Sequence, residues 1–136
     1  MAKKIYKYEL GVNGDVITIK NCFSRIIKIM MQNGWPHIWM EIDEENYDES
    51  ESNITAIGTG WDYNDDAGVY VDSVIDRSGY VWHYFVDNPM FLSKQEKEQM
   101  EQYLNYQKVM NNLFTGGYVE NGSSGILMKE PTIDLL

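Results

Sequence analysis

Asp62, Asn64 and Asp66 place oxygen ligands at alternate positions, as the first half of a calcium loop does. The glycine such a loop needs would fall at position 67, which is Ala67, and the closing bidentate glutamate at 73, which is Ser73. The triplet therefore reads as a polar turn. Gly58-Thr59-Gly60 has the composition of a phosphate loop. Such loops work by opening onto a helix N-terminus, and here a strand precedes and a polar stretch follows, so a tight turn or bulge is expected. Nucleophilic catalysis would need Cys22 or a serine beside a histidine base with an orienting carboxylate. His37 and His83 are the available bases, and each sits in an alternating segment where a β-face position accounts for it. Carboxylates are abundant, but nothing singles out a pair for glycoside hydrolysis. The expectation is a protein that is not an enzyme, with no catalytic residue, no cofactor and no metal.

What remains is recognition. Trp35, Trp39, Trp61 and Trp82 read as core and rim of a β-domain. Tyr47 and Tyr63 each stand in an acidic stretch, where burial is hard to arrange. An aromatic ring flanked by carboxylates on a loop suits an interface anchor. The candidate partner-binding set is therefore Glu44, Glu45, Tyr47, Asp48, Glu49 and Glu51 from one stretch, with Asp62, Tyr63, Asp65 and Asp66 from the next.

The charge distribution sharpens this. The formal net charge is −10, from 21 acids and 11 bases. Residues 1–28 hold six bases, whereas 29–76 hold twelve acids and no lysine or arginine. A chain so polarised is poorly suited to gripping DNA or RNA itself. An acidic face would instead suit a protein partner with a basic surface.

The elements that must position these residues are mostly strands. Ile5–Leu10 and Val16–Ile19 flank Asn13-Gly14, the strongest short-range hairpin signal. Arg25–Met30 and His37–Ile42 flank Asn33-Gly34 in the same way, and Val69–Ile75 and Tyr80–Val86 form a third hairpin. Residues 43–52 read as a solvated acidic loop, before a short strand over Asn53–Ile57. The fold class expected is mainly β with one C-terminal α-helix (α+β). Its core is a small antiparallel β-sandwich or partly open barrel of about seven strands built from hairpins.

After Pro89 the period changes to helical. Ser93 and Glu96 form a capping box, and Gly116-Gly117 supplies a stop. Met100, Tyr103, Leu104, Met110, Leu113 and Phe114 recur at helical spacing, which marks an assembly or docking helix. The domain plan is one domain over 1–136: a β core over 3–88, a helix over 93–115 and a flexible tail over 116–136. A single cysteine, Cys22, excludes an internal disulfide. MAKKIYKYEL has no apolar stretch behind its lysines, so no signal peptide is expected, and no apolar run reaches the ~20 residues of a membrane span. A cytoplasmic protein without membrane contact is the expectation.

The run Ile5-Tyr6-Lys7-Tyr8-Glu9-Leu10, then Gln32-Asn33-Gly34-Trp35-Pro36 with Trp39, then Gly58-Thr59-Gly60, Tyr70-Val71 and Val81-Trp82-His83-Tyr84-Phe85, resembles a family of small phage-encoded β-domain proteins without assigned function. The resemblance covers residues 3 to about 87 and rests on turn and core positions. The acidic stretch 43–52 and everything from Ser93 depart from it. The resemblance implies the cytoplasm of an infected bacterial host. It also implies an anti-defence inhibitor, such as an anti-CRISPR, that presents a nucleic-acid-like acidic face to a host defence protein. Two alternatives come with it: a sponge for a nucleotide immune signal, as in anti-Thoeris proteins, and a structural or accessory phage protein. A homodimer or higher homo-oligomer would give the apolar helix stripe a partner.

Overall fold

A computed structural model describes residues 2–115, with the side chains of Phe114 and Thr115 outside the described set. The expected tail over 116–136 also lies outside it. Seven strands precede one helix: β1 Lys4–Glu9, β2 Val16–Asn21, β3 Phe23–Gln32, β4 Trp35–Ile42, β5 Ser50–Gly58, β6 Val69–Ile75, β7 Val81–Val86 and α1 Lys94–Thr115. A 3-10 turn covers Asp65–Ala67. The strands form two antiparallel sheets, β1-β4-β3 and β2-β5-β7-β6, so the domain is a sandwich and no barrel closes. The chain divides into a β unit, Met1–Ser93, and a second unit that begins at Lys94.

Alternation along the strands sends one set of side chains inward. Phe23, Ile29, Ile38, Met40 and Ile42 come from the three-stranded sheet; Ile19, Ile54, Ala56, Val74, Trp82, Tyr84 and Val86 face them. Tyr84 is fully buried, and its hydroxyl donates to the Gly11 carbonyl at 2.7 Å. Burial pushes that phenol well above its ordinary pKa. Phe91 extends the β unit beyond the expected limit at 88, packing at a tilt against Phe23 with ring centres 5.4 Å apart.

Two of the three expected hairpins form. β3 pairs with β4 across Asn33-Gly34, and β6 pairs with β7. The hairpin expected across Asn13-Gly14 does not form. Asn13 and Gly14 do adopt the positive φ angles of 57° and 81° that the dipeptide favours. The turn closes with Asp15 N–H donating to Val12 C=O, but β1 pairs with β4 and β2 with β5. Leu10 and Gly11 are buried, so this segment crosses between the sheets and caps the core, and the turn redirects the chain without starting a ladder.

The acidic loop is shorter than expected, because β5 begins at Ser50. Glu51 lies in that strand opposite Lys20, and Ser52 is buried, donating to the Asn88 carbonyl. Pairing with β2 and one solvated face let polar residues adopt strand geometry that composition alone argues against.

α1 matches the expected helix closely. Met100, Tyr103 and Met110 are half-buried, while Leu104 and Leu113 are exposed, as are Tyr106 and Val109. Gln107 donates to the Tyr103 hydroxyl one turn away. Among the described residues no helix is long and apolar enough to cross a membrane.

Candidate functional site

The outer face of the four-stranded sheet carries the domain's most distinctive surface. On β7 the inward residues are Trp82, Tyr84 and Val86, so His83 and Phe85 point outward. Ile57 of β5 lies opposite His83 on one side. On the other side β6 sets Tyr70 opposite Phe85 and Ser73 opposite His83. Two steps on β7 are thus matched by three on β6, because a bulge intervenes between Tyr70 and Asp72. The extra residue brings Tyr70 and Ser73 to one face.

A continuous relay of polar groups follows. Thr59 Oγ1 lies 2.8 Å from His83 Nε2, Ser73 Oγ lies 2.7 Å from His83 Nδ1, and the Tyr70 hydroxyl lies 2.8 Å from Ser73 Oγ. The loop after β5 then folds back over the sheet. Gly58 C=O accepts from Trp61 N–H, forming the turn expected at Gly58-Thr59-Gly60. The Trp61 indole packs against Gly58, where a Cβ would come within 2.7 Å of the ring. Tyr63 lies on Phe85 with ring centres 4.6 Å apart, and Tyr70 meets Phe85 edge-on at 5.8 Å.

Trp61 is the shared wall of two depressions. One, of about 320 Å³, is lined by residues 57–61 with Tyr63, Tyr70, His83 and Phe85. The other, of about 330 Å³, lies towards Trp82, Tyr80 and Asn13. Both fall at the small end of the range for ligand pockets. Trp61, Tyr63, Tyr70 and Tyr80 are 46%, 54%, 53% and 66% exposed, which is unusual for rings so large. Among the described residues no lysine or arginine lines either depression.

The hairpin beneath is braced by Asp76. Its carboxylate accepts from Trp82 Nε1 at 2.9 Å and from the Ser78 and Tyr80 amides at 2.8 and 3.0 Å. The Trp82 indole N–H above all, with those amides, holds the carboxyl below its usual pKa in spite of desolvation.

Ser73 and His83 lie at the separation of a nucleophile and its base, a pairing the sequence reading set aside. The orienting position at Nε2 is held by the neutral Thr59 hydroxyl, which cannot stabilise an imidazolium as a buried carboxylate does. Ser73 is also engaged by Tyr70. These contacts hold His83 and Tyr70 in place along the wall of the depression. Among the described residues no group of three His, Cys, Asp or Glu side chains is placed to hold a metal ion.

The expected partner-binding residues separate into two groups. Tyr63 enters the aromatic depression, with exposed Asp62 beside it and exposed Asp65 and Asp66 in the 3-10 turn that follows. Glu44, Glu45, Asp48 and Glu49 are exposed in the β4–β5 loop, where Glu49 pairs with Lys20 at 3.7 Å. Tyr47 is half-buried there, and its backbone forms an isolated β-bridge with Ser93. Glu51 belongs to β5. Asp43, at the start of the same acidic run, is buried and accepts from the Asn46 side chain at 2.9 Å and from the Glu45 and Asn46 amides. Trp61, Tyr70, His83 and Phe85 border the depression but are not among the expected partner-binding residues. The aromatic richness around Gly58-Thr59-Gly60 was the signal available for them.

Residues 1–92 match a family described as a domain of unknown function (DUF7352). That span ends within one residue of the β unit. No curated protein and no solved structure matches the chain.

Proposed function

We propose, for a chain that belongs to this family of unknown function, a role in binding without catalysis. The contact face is the aromatic depression together with the acidic β5–β6 loop, and the partner is a protein with a basic surface. One observation carries this reading. Three large rings, Trp61, Tyr63 and Tyr70, stand about half exposed around a preformed depression, beside Asp62 and in a stretch free of bases. Trp and Tyr are the side chains that most often anchor protein interfaces. Surrounding carboxylates would raise the encounter rate and select partners more than add affinity.

The resemblance to phage-encoded proteins gives the partner an identity by class: a host defence protein, such as a nuclease or CRISPR effector with a basic nucleic-acid channel, in the infected cell's cytoplasm. Blocking that channel would make the chain an anti-defence inhibitor. The test is capture from host lysate at low and high salt. The arms are the parent protein, a Trp61→Ala/Tyr63→Ala variant and an Asp62→Asn/Asp65→Asn/Asp66→Asn variant. Salt-sensitive capture of a basic protein, lost in the first variant and weakened in the second, supports the reading. Undiminished capture by both variants overturns it.

A nucleotide sponge is the second reading, favoured by the size and aromatic lining of the same depression. It ranks lower because the lining offers no lysine or arginine for a phosphate among the described residues. A large melting shift with a cyclic nucleotide, without protein capture, would reverse the order.

A further inference from the structure

We infer that the depression between Trp61 and Phe85 is a pocket for a planar cation, namely an arginine side chain presented by the partner. This rests on the contact-face reading above and assigns that face its central contact.

The walls are π-systems. The exposed rings of Trp61, Tyr63 and Tyr70 border the space over buried Phe85, and ring faces attract cations through their negative quadrupole. Residues 57–70, which supply most of the lining, belong to the base-free stretch that also carries Asp62, Asp65 and Asp66. Among the described lining residues no lysine or arginine awaits an entering anion, whereas a cation meets exposed rings and hydroxyl oxygens. The volume of about 320 Å³ is small, which suits a side-chain head with its methylene stem.

The polar groups favour a guanidinium over an ammonium. The Thr59 and Tyr70 hydroxyls border the pocket, and a hydroxyl oxygen can accept one hydrogen bond beyond those it already makes. A flat fork of N–H donors can stack on a ring and reach such acceptors at its edge, which a compact ammonium cannot do together. The site is also preorganised. Ser73 anchors Tyr70, Phe85 supports Tyr63, and Gly58 seats Trp61, so little ordering is left for binding to impose.

The test is an NMR titration of the full-length chain with N-acetyl-arginine amide, its neutral isostere N-acetyl-citrulline amide, and AMP. Aromatic signals of Trp61, Tyr63 and Tyr70 should shift with the arginine compound, while Trp39 on the other sheet stays still. Citrulline should bind roughly fivefold or more weakly, the factor a modest cation–π attraction supplies. Tyr63→Ala and Tyr70→Leu, each checked for folding by its amide spectrum, should lose most of the response. Equal binding of citrulline, stronger binding of AMP, or shifts that include Trp39 overturns the inference. If the arginine compound gives no shift although partner capture depends on Trp61 and Tyr63, the cation pocket fails and the contact face stands. If arginine binds at the pocket but lysate capture ignores these residues, the pocket stands and the contact-face reading fails.

Discussion

Tyr70 and Ser73 stand three places apart in β6, yet their hydroxyls meet at 2.8 Å on one face of the sheet. Regular alternation would put them on opposite faces, and the bulge removes that conflict. Ser73 is therefore the hinge pin of the relay, joined to both Tyr70 and His83. Ser73→Ala should lower stability by about 0.5–1.5 kcal/mol, the usual net worth of a lost hydrogen bond. It should also broaden the Tyr70 ring signals while leaving the core signals of Tyr84 sharp. Urea denaturation and aromatic NMR check the two halves separately.

Gly58→Ala tests the seating of Trp61. The backbone there does not require glycine, since its φ is not positive, but the new Cβ would stand 2.7 Å from the indole. Trp61 must swing outward. A loss of about 1–3 kcal/mol is expected, in the range for overpacking, together with a marked change in the depression's ligand response. An unchanged near-ultraviolet spectrum and unchanged binding would show that Trp61 is not held as described.

Acid should destabilise the fold through Asp76. Its pKa is depressed in the folded state, so its contribution is fully present above the unfolded value of about 3.9. It is lost as pH falls through the lower folded value. Glu41, held down first by the Ser24 hydroxyl at 2.6 Å, and Asp43, held down first by the Asn46 amide, act in the same direction. Asp76→Asn should be less stable than the parent at pH 7 and should show a smaller drop between pH 7 and pH 3. Urea midpoints at the two pH values measure both effects, and parallel pH profiles would refute the assignment.

The acidic run after β4 contains one buried carboxylate, Asp43, among exposed ones. Converting Glu44, Glu45, Asp48 and Glu49 to Gln or Asn should change stability by less than about 1 kcal/mol, since exposed charges contribute little. Asp43→Ala should lower it by about 1–3 kcal/mol, because it strips the acceptor from the Asn46 side chain and two amides. Thermal melts of the two variants side by side decide the matter.

The legibility of the fold follows from where local signals and tertiary packing agree. Asn33-Gly34 sits between two alternating runs, and its hairpin was readable because both strands lie in one sheet. Asn13-Gly14 sends the same signal, but Leu10 and Gly11 find more burial as a cap over the core than a two-stranded ladder would offer. Glu51 and Ser52 looked like loop because strand pairing with β2 is invisible in composition. At the site, Tyr63 was legible from its acidic setting, whereas Phe85 passed for core. It is buried, but under Tyr63 and Tyr70 on the outside of the sheet. Tyr70 and Ser73 could not be paired by eye, since a bulge cancels the two-residue period on which such reading depends.

The crossing at Asn13-Gly14 has a kinetic side. Of the five ladders, only β3–β4 and β6–β7 join chain neighbours; β1–β4, β2–β5 and β5–β7 close over longer separations. Topologies of that kind fold on the slower, millisecond-to-second scale. Meanwhile the turn at Asn13-Gly14 can bring β1 against β2 early, in a pairing that the finished sandwich does not contain. A β1–β2 pairing formed there would have to open before β4 and β5 could claim its strands. The β6–β7 hairpin that carries Tyr70, Ser73, His83 and Phe85 is local and native, and can form without waiting for that exchange.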